Sequence, residues 1–202
     1  MTAIKADAMN QPNNPVDINA ALDVNIVLPL LRDAVQKDHA HLDIIEGHIS
    51  DVKCDSAGQY VLLYTFKLQD NTTNRTHKQL LTARVLTETD PMPQQPSMTE
   101  INRYRSIRDV WIQTPIIILP TIRTVLYPFP NDQSLPWLID AVDPATMKQR
   151  LNQIWSLQDI RVRKVKIRVL GYTPNMRASF QYDVLIEDKK TKARQWNYLI
   201  GK

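Results

Sequence analysis

The residues of this 202-residue chain that could do chemistry are mostly cations and histidines. Arg161, Arg163, Lys164, Lys166 and Arg168 crowd one run, Arg177 follows, and Lys202 comes after Gly201. Lys164, Lys166 and Arg168 alternate with Val165, Ile167 and Val169, which puts the cations on one face of a strand. Such a face could hold phosphates or RNA, or it could be a solvated, edge-protecting face. Ile160 and Val162 fall out of phase, so a bulge or strand start is expected near Arg163. No RNA-binding motif accompanies the run, and the nearby Tyr and Trp fall in apolar phase, so a nucleic-acid partner is not expected. His39, His41 and His48 suggest metal, yet a metal site needs three or four convergent ligands and no cysteine is near. They are expected to be structural or exposed. No catalytic residue and no metal ligand emerges from residue types and spacing alone.

Composition bounds what these residues can serve. An apolar share of 43% is enough for a core in one or two small domains. A net charge of +4 and a pI near 9.2 allow an anionic ligand without demanding nucleic acid. One cysteine, Cys54, excludes an internal disulfide and suits a reducing compartment. No apolar run approaches the roughly 20 residues of a membrane span, and the first residues lack the apolar core of a secretion signal. The cytoplasm is the expected compartment, with no membrane partner.

The elements that must position the cations read as follows. Residues 1–15 are a polar tail expected to be disordered, and 16–132 hold helices and a first sheet unit. Residues 133–202 hold linker helices and a truncated second unit. Val16 to Gln36 carries Ile18, Leu22, Ile26, Leu30 and Leu31 at helical spacing, with Pro29 expected to kink or split the run. Ser97 to Glu100 is a capping-box signature opening a helix over 97–108, and Asp143-Pro144 opens another over 144–155. Two short strands, Ile116 to Leu119 and Ile122 to Tyr127, lie between. At the C-terminal end, Val165 to Leu170, Ala178 to Glu187 and Gln195 to Ile200 read as three antiparallel strands. Phe180, Tyr182, Val184 and Ile186 share the apolar face of the second, and Trp196, Tyr198 and Ile200 that of the third. Moving this meander back by 118 positions lays it without a gap on Ile49 to Arg84, with five identities in 36 that include Tyr64 with Tyr182 and Asp70 with Asp188.

One string is specific. LGYTPNMRASFQYDVLIED followed by LIGK resembles the N-terminal region of aminoglycoside-phosphotransferase-like kinases, maltokinase-like members included, on Tyr172, Pro174, Arg177, Tyr182, Gly201 and Lys202. Asn131-Asp132 with Leu135 and Leu138 extends the resemblance to roughly His41 through Lys202. It implies an α+β fold of duplicated N-lobe-like antiparallel sheets with covering helices, the second copy incomplete. It also implies that Lys202, Arg177, Tyr172 and Asn175 face the phosphates of a nucleotide. Phosphoryl transfer would need a catalytic aspartate and metal ligands from a helical lobe, and no residues follow Lys202. The expectation is therefore a chain inactive by itself that uses ATP and Mg only when a separately encoded lobe or a second copy completes it. The alternative is a non-enzymatic module for a protein partner or an anionic ligand. His41-Leu42-Asp43 echoes a catalytic-loop His-x-Asp but lacks the following asparagine and precedes the strands. In the first copy Arg84 stands where Lys202 stands, and Glu100, the carboxylate that would pair with it, sits where capping also explains it.

Overall fold

The computed structural model describes residues 18–54, 59–94, 96–107 and 110–202; the tail at 1–15 and positions 55–58 of the first hairpin lie outside them. Helix α1 (Asn19–Leu22) is followed directly by α2 (Val24–Asp38). The break between them falls at Asp23 and not at Pro29. Asp23 is extended, and its carboxylate accepts from the Asn25 amide at 2.9 Å, capping α2. Pro29 stays inside α2, where it removes one backbone donor near the helix start. Val27, Leu31 and Val35 form the buried stripe that packs on the first sheet, whereas Leu22 and Ile26 remain exposed.

That sheet contains β1 (Leu42–Cys54), β2 (Tyr60–Asp70), β3 (Arg75–Val85), β4 (Ile117–Leu119) and β5 (Thr124–Pro128) in the order β1-β2-β3-β5-β4, antiparallel throughout. Leu62, Tyr64, Phe66 and Leu68 of β2 and Leu81, Ala83 and Val85 of β3 alternate inward to meet α2, the period-two burial of a half-covered sheet. Between β3 and β4 runs α3 (Met98–Arg105), opened by a complete capping box of Ser97 and Glu100.

The chain then forms α4 (Leu138–Ala141) and α5 (Pro144–Ile154), and a second sheet of β6 (Ile160–Thr173), β7 (Arg177–Asp188) and β8 (Arg194–Gly201) in that order. Asp143 caps α5 by accepting from the Thr146 amide at 2.8 Å, with Pro144 in the first turn. Val162, Val165, Phe180, Tyr182 and Val184 face Leu138 and Leu151 across a separate core.

The two meanders share a register. Leu42 opposite Asp70, Ile44 opposite Leu68 and Ile49 opposite Tyr64 become, 118 residues on, Ile160 opposite Asp188, Val162 opposite Ile186 and Ile167 opposite Tyr182. A bulge interrupts β1 between Ile44 and Glu46, and β6 at the matching place between Val162 and Lys164, which is the irregularity expected near Arg163. The second bulge lies two residues further along in β6. Both second hairpins turn alike: Asp70 accepts from the Thr72 and Thr73 amides, Asp188 from those of Lys190 and Thr191. A left-handed residue ends each turn, Asn74 with φ 55° and Lys192 with φ 62°.

One expectation about β8 is reversed. Trp196, Tyr198 and Ile200 do not point into the core but stand 48%, 74% and 54% exposed. The hairpin turn fixes Glu187 opposite Arg194, and parity then places Leu199 opposite the buried Tyr182. Register follows the turn and the apolar face of β7, so the larger apolar set of β8 goes outward. There Trp196 lies under the Lys166 ammonium, 5.0 Å from the ring centroid, sharing the cationic face of β6.

Candidate functional site

At the hairpin end of the second sheet a cleft of about 550 Å³ opens between the β6–β7 turn, the end of β8 and the segment leading into α4. Tyr172, Arg177 and Lys202 line it together with Leu135, Trp137 and Met176. Three of the four expected site residues therefore meet in one place. The β6–β7 hairpin delivers Tyr172 and Arg177 from its two arms, and Lys202 arrives because the end of β8 pairs with Phe180. Among the described residues no hydrogen bond or ion pair engages Arg177 or Lys202, and both are exposed. Such a pair can contact an anion electrostatically, though exposed charges are screened over about 8 Å at physiological salt.

Asn175, the fourth residue, turns away from this cleft. It occupies the left-handed region at φ 60°, and its backbone amide donates to Asp132 Oδ2 at 2.9 Å. Tyr172 is half committed as well. Its hydroxyl donates to the same Oδ2 at 2.8 Å and lies 3.0 Å from the Thr82 hydroxyl of the first sheet. Burial pushes the Tyr172 phenol well above its ordinary value, so it remains a neutral donor at any physiological pH.

Asp132 is the residue that reading the sequence for chemistry passed over. It is 4% exposed, and besides those two donors its Oδ1 accepts from the Ser134 amide at 2.9 Å and the Leu135 amide at 3.2 Å. A buried carboxylate with four donors is satisfied and rigid, and here it ties the linker before α4 to the hairpin of the second sheet. An Asp one residue before the Ser-Leu of a turn was the available signal.

Beside Asp132 lies a smaller cavity of about 190 Å³, lined by Gln59, Val61, Thr82, Arg84, Tyr127 and Asn175 among others. With the 118-residue offset, Gln59, Val61 and Arg84 correspond to Arg177, Ser179 and Lys202, so the two concavities sit at matching corners of the two meanders. The Arg84 Nε is buried without a partner. Glu100 is engaged at its own helix end, where Ser97 gives it the backbone amide at 2.8 Å and the hydroxyl at 2.7 Å. Those bonds, the side-chain one foremost, hold its carboxyl below the ordinary glutamate value.

The histidines do not converge. His39 is buried, and its Nε2 accepts from the Gln113 amide at 3.3 Å, while His41 is exposed. Among the described residues no group of three or more His, Cys, Asp or Glu is placed to hold a metal ion, and no helix is long and apolar enough to cross a membrane. No family model, no curated protein and no solved structure matches the chain.

Proposed function

We propose that this chain is a phosphotransferase-like module that holds a phosphate-bearing ligand at the corner of its second sheet and does not transfer phosphate by itself. The observation that carries this reading is the meeting of Arg177 and Lys202, neither engaged by another described residue, in one cleft beside Tyr172. The succession of three strands, a helix and two strands in the first unit, and the shared register of the meanders, support descent of both from an N-lobe-like unit by duplication. A complementing lobe would supply the aspartate that accepts the hydroxyl proton and the carboxylates that hold Mg, and ATP would be the nucleotide. In this chain the two cations contribute attraction and orientation only. The hairpin between Tyr172 and Arg177 has no glycine, so side chains rather than close backbone approach would meet the phosphates.

ATP titrated into the chain at low salt is expected to bind weakly, with affinity falling as salt rises and dropping several-fold in Lys202→Ala and in Arg177→Ala. No ATP hydrolysis or transfer is expected. Binding indifferent to both substitutions removes the site assignment, and turnover abolished by Lys202→Ala removes the non-catalytic reading.

A second reading, a module for a protein partner, is favoured by β8. Its outer edge pairs with no described strand, whereas β3 carries β5 along Leu81 to Val85. An unpaired edge beside exposed Trp196, Tyr198 and Ile200 suits addition of an extended segment. Backbone amide exchange in β8 that slows when a partner is added would support it, and unchanged exchange in the bound state would exclude it.

A further inference from the structure

We infer that the apolar cavity between the two sheets is a binding site for a small, largely apolar molecule that carries one hydroxyl or N–H donor. The cavity measures about 470 Å³, and its apolar wall comes from both halves of the chain: Ile107, Val110 and Phe129 on one side, Val142, Ile167 and Val169 on the other. A concavity of this size with apolar walls and few polar groups is the usual form of a small-molecule site. It shares no residue with the cationic cleft, so this inference stands apart from the phosphate reading.

Gln79 supplies the polar group. It lines the cavity, is 3% exposed, and donates from Nε2 to the Phe129 carbonyl at 2.8 Å. That bond settles the orientation of the amide, because reversing it would set two acceptors face to face. Its Oε1 is thereby the remaining acceptor, and it is buried with no partner. Native proteins rarely leave a buried amide oxygen unmet, and a ligand donor reaching it relieves that cost. Most of the wall cannot help: Leu80, Phe129, Ile107 and Val110 offer only carbon at their side chains. A ligand whose surface is mostly apolar, with a single donor, is what such a lining recognises; a polyanion or a sugar would bury unpaired polar groups against it.

The test uses indole, which has one N–H donor, and benzothiophene, a bicyclic of nearly the same shape with none. Each is titrated into the 15N-labelled full chain and read from backbone amide shifts. Indole is expected to saturate with shifts gathered on Ile107, Val110, Phe129 and Val169. Gln79→Leu, which removes the acceptor, should lower the ratio of indole to benzothiophene affinity about fivefold or more, as loss of a hydrogen bond to a buried group does. Because Gln79→Leu also breaks the Phe129 contact, a second variant is included: Val169→Trp, at a wall position 40% exposed, should fill the space and weaken both probes at least tenfold. No saturable binding of indole, shifts elsewhere, an unchanged ratio in folded Gln79→Leu, or full affinity in Val169→Trp would each overturn the assignment.

Discussion

Single residues fix the fold where backbone or charge leaves no alternative. An added Cβ at Gly47 would lie 2.3 Å from ring carbons of Phe66, its cross-strand partner, whose side chain is fully buried. Gly47→Ala is therefore expected to cost about 1–3 kcal/mol by overpacking, seen as a lower urea midpoint with the native circular-dichroism spectrum retained. His39 makes stability depend on pH. Burial foremost lowers its pKa below the ordinary 6.5, His41 and Arg105 adding to that and Asp38 opposing it, and Nε2 must stay unprotonated to accept from Gln113. A lowered pKa means the unfolded chain takes up the proton first. His39 thus stabilises the fold fully above pH 6.5, and that contribution is lost as pH falls through its folded value. Thermal midpoints measured from pH 7.5 to 5 should fall less steeply in His39→Gln than in the parent; parallel curves would discount the residue. The sequence exposed none of this. Spacing marked His39 as structural, but neither its acceptor role nor the ring above Gly47 can be read without knowing which strands pair.

At the scale of elements, helix starts were the most legible features, because they depend on chemistry within four residues. Asp143-Pro144 and Ser97 with Glu100 cap α5 and α3 where the sequence put them. Asp143→Ala should cost about 1 kcal/mol and, since α5 covers the second sheet, should speed amide exchange in β6 and β7 before that in β2. Simultaneous loss of protection in both sheets would show instead that they open together. The bulge at Arg163 was legible too, since the phase of apolar residues changes across it. The outward turn of β8 was not: Trp196, Tyr198 and Ile200 form the stronger apolar phase, but parity was already set by the turn at Asp188. Nor was the break at Asp23, because Pro29 is the conspicuous residue while Asp23 becomes a cap only once α1 has ended. Of the expected site, the meeting of Tyr172, Arg177 and Lys202 followed from strand pairing that the sequence suggested. Asp132 did not, since its four donors come from two separated segments.

For the whole molecule, the uncovered edge of β8 is a route to self-association. Chain lacking a partner should show concentration-dependent sedimentation that Tyr198→Lys suppresses, because a cation on an edge strand disfavours pairing; identical sedimentation of both proteins would locate any association elsewhere. The link between the sheets is narrower. Tyr172→Phe removes the hydroxyl that joins Asp132 to Thr82 and is expected to cost about 1–3 kcal/mol, measured by urea unfolding. The matched hairpin turns have a consequence of another kind. Each corner of one meander is a substitution already tried in the other, so the chain is its own mutagenesis library. At the left-handed position one turn holds Asn74, a residue that tolerates that conformation, and the other holds Lys192, which does so less readily. Exchanging them asks, within one molecule, whether a side chain suits its turn or merely survives in it: Lys192→Asn should raise the thermal midpoint, and Asn74→Lys should lower it by a similar step.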